Sequence, residues 1–113
     1  EYHEVIKKEE NYINQNKSGP LPLKDIAQHV FMSSAYLSTT YKNVTGRNIT
    51  DYIQERRVST ACFLIRTTSG SISNLAQETG FSDANYFTKV FKKKTGMTPR
   101  EYRRRWKDGD IEE

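Results

Sequence analysis

The sequence has only one cysteine, Cys62, and two histidines, His3 and His29, among 113 residues. A lone cysteine cannot form an internal disulfide, and its apolar neighbours predict a packed position on a helix. The isolated histidines argue against a metal site, because such a site needs three or four ligands at regular spacing. Cys62 has no base near it in the sequence, and there is no glycine-rich phosphate loop. We therefore expect no enzyme activity, no metal and no cofactor.

Long apolar runs are also missing. None approaches the roughly 18 residues that a membrane-spanning helix needs, and there is no secretory leader, so we expect a cytoplasmic protein with no membrane partner. Strand-like alternation and hairpin turn pairs are absent too. With 35% hydrophobic and 12% aromatic residues the composition suffices for compact cores. The sequence predicts an all-α chain of about seven helices and, because it opens on Glu1, a fragment of a longer protein.

The sequence contains an internal repeat of one small helical unit, which predicts two lobes. The offset between the copies is 49 residues up to Ser33/Ser82 and 50 from Tyr36/Tyr86 onward, so we place one extra residue at the start of the second helix of copy two. The paired positions are Ile26/Leu75, Ala27/Ala76, Gln28/Gln77, Ser33/Ser82, Tyr36/Tyr86, Leu37/Phe87, Tyr41/Phe91, Lys42/Lys92, Thr45/Thr95, Gly46/Gly96, Asp51/Glu101 and Tyr52/Tyr102.

Turn and cap residues divide the first half of the chain. A first helix ends before the Asn16 to Pro20 segment, and a short helix then leads to Ser33, which is suited to cap the next one. Gly46 suits the left-handed position that ends that helix. A linker helix over about 49–65, capped by Asn48, follows. Residues 1–66 are therefore expected to form the N-terminal helix, the first helix-turn-helix and the linker helix.

The second half of the chain has turn and cap residues at matching positions. Ser71 opens the copy, Gly80 ends its first helix, and Ser82 is predicted to cap the second. Thr98 and Pro99 start a last helix, since threonine is a good cap and proline fits the first helical position. Residues 67–113 are expected to form the second helix-turn-helix, the C-terminal helix and a short acidic tail, and to complete one bilobed domain with residues 1–66.

The net charge of +4 conceals a strong asymmetry. Nine of the 18 basic residues and one acid, Glu101, lie between Lys89 and Lys107, so this stretch carries +8 and the remainder −4. A solvated helix face explains most short charge runs. A run this dense, interleaved with aromatic residues, indicates a polyanionic partner instead.

The second helix of each copy has a stripe opposite its buried positions, which we predict to be Leu37 and Tyr41 in copy one and Phe87 and Phe91 in copy two. In a helix-turn-helix this stripe meets base edges in the DNA major groove. The predicted base contacts are Ala35, Ser38, Thr39, Asn85, Thr88 and Lys89. The predicted phosphate contacts are Ser34, Lys42, Ser82, Lys92, Lys93 and Lys94.

The chemistry of the two stripes differs. Asn85 can bond bidentately to adenine and Lys89 can reach guanine, whereas copy one offers only small neutral side chains. Direct readout is therefore expected mainly from copy two. Tyr36 and Tyr86 are interpreted as core residues in preference to phosphate donors. The alternative hypothesis is a protein-interaction module, whose basic last helix (Arg103, Arg104, Arg105 and Lys107) docks an acidic partner such as RNA polymerase.

Over roughly Leu23 to Arg103 the sequence resembles the DNA-binding domain of the AraC/XylS family of bacterial transcription regulators. The second copy carries most of the resemblance, and Arg57-Val58-Ser59-Thr60-Ala61 resembles the linker-helix motif. The matching segments of copy two are Ile72-Ser73-Asn74-Leu75-Ala76, Gly80-Phe81-Ser82-Asp83, Tyr86-Phe87, Val90-Phe91-Lys92-Lys93, Thr95-Gly96-Met97-Thr98-Pro99 and Tyr102-Arg103.

This resemblance implies two helix-turn-helix units joined by a linker helix. Recognition helices 34–44 and 83–94 would enter successive major-groove segments of double-stranded DNA, to activate or repress transcription. It also implies a regulatory domain elsewhere in the parent protein. Within the family, the resemblance is closer to the effector domains of response regulators than to other members. We expect RNA polymerase as a further partner, a monomeric fragment and a dimeric parent. One departure is Phe31, which matches Gly80 and so requires a different turn or a costly left-handed conformation.

Overall fold

The structure is a computed structural model that describes residues 2–111. It contains seven helices and, within that range, no strand, which confirms the predicted all-α class. Glu1 and the last two residues of the predicted acidic tail, Glu112 and Glu113, lie outside the described residues. The helices are α1 (Tyr2–Asn16), α2 (Leu23–His29), α3 (Ser34–Thr45), α4 (Ile49–Thr67), α5 (Ile72–Glu78), α6 (Ala84–Thr95) and α7 (Pro99–Lys107).

The chain divides into two compact units, Glu1–Arg56 and Arg57–Glu113, and the division falls inside α4. Each unit contains one helix-turn-helix pair, α2 with α3 in unit 1 and α5 with α6 in unit 2. The division predicted from the sequence, between residues 66 and 67, lies at the end of α4. It stays a prediction about domain organisation.

Unit 1 is built by α1 packing on α2 and α3. Its centre is apolar, because one face of each helix carries aliphatic residues at helical spacing, and Ile13, Ile26 and Leu37 are fully buried there. The Tyr41 ring is buried with them, and its hydroxyl donates a 2.8 Å hydrogen bond to the Glu10 carboxylate. Burial, more than this hydrogen bond, raises the pKa of Tyr41.

Unit 2 is organised by a chain of aromatic rings. Phe87 lies 5.1 Å from Phe81 and 5.6 Å from Phe91, whose ring lies 5.6 Å from Tyr102, all measured between centroids. Edge-on and tilted pairs of this kind add to the stabilisation from burial. Cys62 packs partly buried against this core, and burial raises the pKa of its thiol, so the predicted packing role agrees with its surroundings.

Most predicted helix ends are confirmed. The Ser33 hydroxyl accepts a 3.1 Å hydrogen bond from the Tyr36 amide, and Ser71 and Thr98 cap α5 and α7 in the same way. Gly46 ends α3 with φ of 80°, a left-handed conformation that glycine adopts without steric cost. The linker helix begins at Ile49 as predicted.

That linker helix, α4, continues to Thr67, two residues beyond the predicted end at 65. The hydroxyls of Thr67 and Thr68 donate 2.7 Å hydrogen bonds to the carbonyls of Phe63 and Leu64, four residues back. The Thr68 amide also donates a 2.9 Å hydrogen bond to the Leu64 carbonyl, so hydroxyl and backbone donors together hold the last turn. The helix therefore ends later than its composition indicates.

The prediction that Ser82 caps the second helix of copy two is wrong. The cap of α6 is Asp83, whose carboxylate accepts a 2.8 Å hydrogen bond from the Asn85 amide. The helix begins at Ala84, so the extra residue of copy two lies in the turn over 79–83 rather than at the start of the helix. The turn over 30–33 in copy one is one residue shorter. The predicted recognition helices 34–44 and 83–94 are thus residues 34–45 and 84–95.

Candidate nucleic-acid interface

The helices α3 and α6 present equivalent faces to solvent. At an offset of 50, every pair from Ser33/Asp83 to Arg47/Met97 has the same degree of exposure. The buried face of each helix is a triplet with helical spacing, as predicted for Leu37/Tyr41 and Phe87/Phe91. The buried triplets are Leu37, Thr40 and Tyr41 in α3 and Phe87, Val90 and Phe91 in α6. Because these buried residues pack each helix against its own unit, the side chains on the opposite side of the helix face solvent.

In α3 the outward stripe is small and carries little charge. Ala35 and Thr39 are exposed, and Ser38 is half-buried between them and the core. Lys42 follows on the same side and is exposed, while Ser34, at the start of the helix, is half-buried. The stripe therefore offers methyl groups, two hydroxyls and one cation.

In α6 the same stripe carries side chains with stronger hydrogen-bonding groups. Asn85 and Lys89 are exposed one helical turn apart, so their amide and ammonium groups are on one side of the helix. Lys92 and Lys93 are exposed in the last turn, and Lys94 is half-buried. This arrangement fits direct contact with base edges near the start of the helix and with phosphates near its end.

Two predicted contact residues, Thr88 and Ser82, differ in what they can offer to DNA. The Thr88 hydroxyl donates a 3.0 Å hydrogen bond to the Ala84 carbonyl, so its proton is used inside the helix. What Thr88 offers to DNA is an acceptor oxygen and a methyl group. Ser82 is exposed in the turn before Asp83 and, although it is not the cap, is accessible to a phosphate.

The prediction that Tyr36 and Tyr86 belong to the core is wrong. Each side chain is 49% exposed. Each tyrosine comes one residue before a fully buried position, Leu37 or Phe87, and one step along a helix turns the side chain about 100° away from the core. The Tyr86 ring still lies 6.1 Å from the buried Phe81 ring, measured between centroids. The spacing of the buried residues along each helix already places both tyrosines outward. The prediction rested instead on how often aromatic side chains are buried.

The turn in copy one contains a strained residue. Phe31 has φ of 60° and its side chain is 94% exposed. The matching residue Gly80 has φ of 95°, so both turns use a left-handed backbone at this position. The left-handed conformation costs a non-glycine residue about 1–2 kcal/mol, which no burial of the phenyl ring offsets. Of the two geometries considered for this turn, the costly one occurs.

The basic residues between Lys89 and Lys107 have no neutralising ion pairs within the part of the chain that the structure describes. None of the nine basic side chains from Lys89 to Lys107 forms an ion pair with a described carboxylate. In unit 1, by contrast, Arg47 pairs with Glu55 at 2.9 Å. Unpaired cations of this density produce a local positive field that attracts polyanions.

Two of the four basic residues of the alternative hypothesis form contacts within unit 2. Arg103 donates to the carbonyls of Gly70 and Thr68, at 2.7 and 3.4 Å, and an Arg105 guanidinium nitrogen lies 3.8 Å from the Met97 sulfur. These two guanidinium groups are thus engaged within unit 2. Neither contact could be predicted from sequence, because both depend on how α7 packs in the unit.

Residues 2–111 contain no group of three or more His, Cys, Asp or Glu side chains that could hold a metal ion. Within the same range, no helix has the length and apolar character to cross a membrane.

Comparison with known proteins agrees with this geometry. A family model described as a helix-turn-helix domain matches residues 26–105. The chain is 36% identical over 100 residues to the HTH-type transcriptional regulator YfiF of Bacillus subtilis, covering 88% of this chain and 32% of that protein. It is 36% identical over 87 residues to the transcriptional activator RhaR of Cronobacter sakazakii, covering 77% of this chain and 31% of RhaR. The chain thus spans about a third of the length of these relatives.

A solved structure is similar over nearly its whole length. The C-terminal domain of AraT, a response regulator from Geobacillus stearothermophilus, has a TM-score of 0.84 and 29% sequence identity, covering 88% of this chain and 84% of that one. The relatives are regulators and not enzymes, in agreement with the expectation drawn from the sequence. The two helix-turn-helix units, their matched outward helices and these similarities together show that the chain belongs to the AraC-type helix-turn-helix family of DNA-binding transcription regulators.

Proposed function

We propose that each unit inserts its outward helix, α3 or α6, into its own segment of the DNA major groove and that the two segments follow one another along the duplex. The observation that carries the proposal is the matched exposure of the two helices at a constant offset of 50. Helix-turn-helix proteins contact base edges with the first residues of the second helix. In both helices these are the residues whose side chains lie outward.

The α6 helix is the main reader of sequence in this proposal. Asn85 bonds bidentately to adenine and Lys89 donates to the O6 and N7 atoms of guanine, and each such contact discriminates between bases by about 1–3 kcal/mol. The Asp83 cap supports this role, because it fixes the backbone at Asn85. Thr88 adds a methyl group and an acceptor oxygen between these two contacts.

The α3 helix contributes less sequence information. Ala35 and the Thr39 methyl group fit a thymine methyl group, and the Ser38 hydroxyl accepts or donates to several bases without preference. Ser34 and Lys42 bind phosphate oxygens and so fix the register of unit 1 on the duplex. Unit 1 therefore acts mainly by positioning.

Phosphate contacts in unit 2 supply affinity. The Lys92, Lys93 and Lys94 side chains follow the base-contacting turn of α6, and Ser82 precedes it in the turn. Contacts of this kind release counterions from DNA, so they strengthen binding to all sequences and make it sensitive to salt.

The wider role concerns the parent protein. We propose that it is a bacterial, cytoplasmic regulator, dimeric in its full form, whose DNA-bound state contacts RNA polymerase, while this chain alone is monomeric. The proposal draws on the relatives, which are about three times longer and include a transcriptional activator. The regulatory signal would then act on the part of the parent outside this domain.

In-vitro selection tests the DNA proposal. The chain is incubated with random duplexes at about 0.15 M salt, where weak phosphate binding is suppressed, and the bound duplexes are sequenced after several rounds. We expect a motif with two elements about one helical turn, ~10 base pairs, apart, the stronger element belonging to unit 2. A matched chain with Asn85→Ala and Lys89→Ala is expected to lose the stronger element. Selection of no motif by the unaltered chain would contradict the proposal.

A further inference from the structure

A basic groove lies on the side of unit 2 where α7 passes the start of α5. It has a volume of about 460 Å³ and is lined by Ser71, Ile72, Arg100, Arg103, Arg104 and Lys107. The four cations are spaced at three and four residues along α7, so they share one face of that helix. No acidic residue lines the groove. Its lining therefore favours an anion.

Arg103 fixes the shape of this groove. Its guanidinium donates to the Gly70 carbonyl at 2.7 Å and to the Thr68 carbonyl at 3.4 Å, which ties α7 to the loop that precedes α5. Arg103 is therefore a positioning residue. The other three cations, Arg100, Arg104 and Lys107, are exposed along the rim.

The charge of the groove is not required by the fold. At the offset of 50, Arg100 and Arg104 correspond to the neutral residues Thr50 and Gln54 of α4, and Arg103 corresponds to Ile53, which is buried in the unit 1 core. The repeat thus builds the same helix pair without most of these cations. Lys107 corresponds to another cation, Arg57, but Arg100 and Arg104 are cations in copy two alone, which points to a binding role.

We propose that the groove clamps the phosphodiester backbone of DNA at a place separate from the contacts of α6. In a helix-turn-helix, the first helix crosses the DNA backbone while the second enters the major groove. The groove opens beside Ser71, at the start of that first helix, so a backbone held near α5 meets Arg100, Arg104 and Lys107. Arginine and lysine are the side chains that bind phosphate oxygens most strongly. This inference rests on the proposed function of α6.

The test is the salt dependence of binding to the selected duplex. The slope of log K against log salt changes by about 0.9 for each phosphate contact. Arg104→Ala with Lys107→Ala is expected to reduce the steepness of that slope by about 2, so that the affinity lost between 50 and 200 mM salt falls by about tenfold. Base preference is expected to stay unchanged, because phosphates carry no sequence information.

The matched control is Lys7→Ala with Lys8→Ala, which removes the same charge from two exposed positions on α1 in unit 1. Its slope is expected to equal that of the unaltered chain. Melting temperatures of both variants check that the fold is intact. If the groove variant has the same slope as the control, the phosphate clamp is wrong.

A second probe separates an acidic protein from DNA as the occupant. A fluorescent poly-glutamate peptide is titrated against the chain without DNA. If the groove variant loses binding to this peptide yet retains the full salt slope on DNA, the clamp is wrong and the groove takes an acidic peptide. Failure of the unaltered chain to select any motif would instead overturn the proposed function, so the two failures are distinguishable.

Discussion

The Asp83 carboxylate accepts a 2.8 Å hydrogen bond from the backbone amide of Asn85, and so fixes the first turn of α6 where the proposed adenine contact begins. An acid beside a DNA-binding helix repels phosphate, yet this one also satisfies an amide that has no partner within the helix. The cap and the base contact are therefore coupled through one short segment of backbone.

Replacing this cap is expected to destabilise unit 2. Asp83→Ala removes the acceptor and is expected to cost about 1 kcal/mol of unfolding free energy, whereas Asp83→Ser retains a good cap and costs less. Urea unfolding followed by circular dichroism measures both. Ser82→Ala is the matched control, since Ser82 is exposed and does not cap the helix. A larger loss from Ser82→Ala than from Asp83→Ala would restore the original assignment of the cap.

Glu9 is expected to make the stability of unit 1 depend on pH. Its side chain is fully buried, neither carboxylate oxygen has a hydrogen-bond partner within residues 2–111, and burial, followed by the charge of Glu10, raises its pKa to about 7. The folded state therefore holds the proton more tightly than the unfolded chain, whose pKa is near 4.5. The stability that Glu9 contributes is thus fully present below about pH 4.5 and is lost as the pH rises through about 7, by about 3 kcal/mol.

The variant Glu9→Gln tests this pH dependence. It carries no titrating group, so unfolding free energies measured from pH 5 to pH 8 are expected to lose the fall seen in the unaltered chain. Glu4→Gln, at an exposed position on the same helix, is the control and is expected to retain that fall. An unchanged pH profile in Glu9→Gln would assign the effect to another group.

Relief of the strained turn is expected to stabilise unit 1. Phe31→Asn places a residue that tolerates the left-handed conformation at φ of 60°, and little burial is lost because the ring is 94% exposed. We expect a gain of about 1 kcal/mol in urea unfolding. Gly80→Ala, the mirror change at φ of 95°, is expected to cost a similar amount. A loss of stability in Phe31→Asn would mean that the phenyl ring has contacts that offset the strain.

Helix caps and helix ends are the features that the sequence predicts best. Ser33, Gly46 and Thr98 have local roles, which are set by a hydrogen bond or a backbone angle within a few residues, and each is confirmed. The prediction that Ser82 caps α6 was wrong because the inserted residue of copy two can lie either in the turn or in the helix. Pairing similar residues of the two copies does not distinguish these positions. The structure settles it through the nearer carboxylate of Asp83.

Contacts between distant parts of a unit could not be predicted. In the sequence, Arg103 is one of several cations on a helix predicted to be exposed. Its hydrogen bonds to the Gly70 and Thr68 carbonyls depend on how α7 packs. Glu9 lies three residues after Ile6 and four before Ile13, so periodicity alone places it on the buried face. Its charge argued against that position, and only the packed structure shows the carboxylate inside.

The most direct test of the central claim, that α6 reads bases while other cations bind phosphate, compares Lys89→Ala with Lys93→Ala. Affinities are measured at about 0.15 M salt for the selected duplex and for every duplex with one base pair changed. Lys89→Ala is expected to weaken binding to the selected duplex by about 1–3 kcal/mol and to remove the preference at one base pair. Lys93→Ala is expected to weaken all duplexes alike and to reduce the steepness of the salt slope by about 1. If Lys89→Ala leaves both affinity and preference unchanged, or weakens every duplex equally, the assignment of base readout to this face of α6 is contradicted.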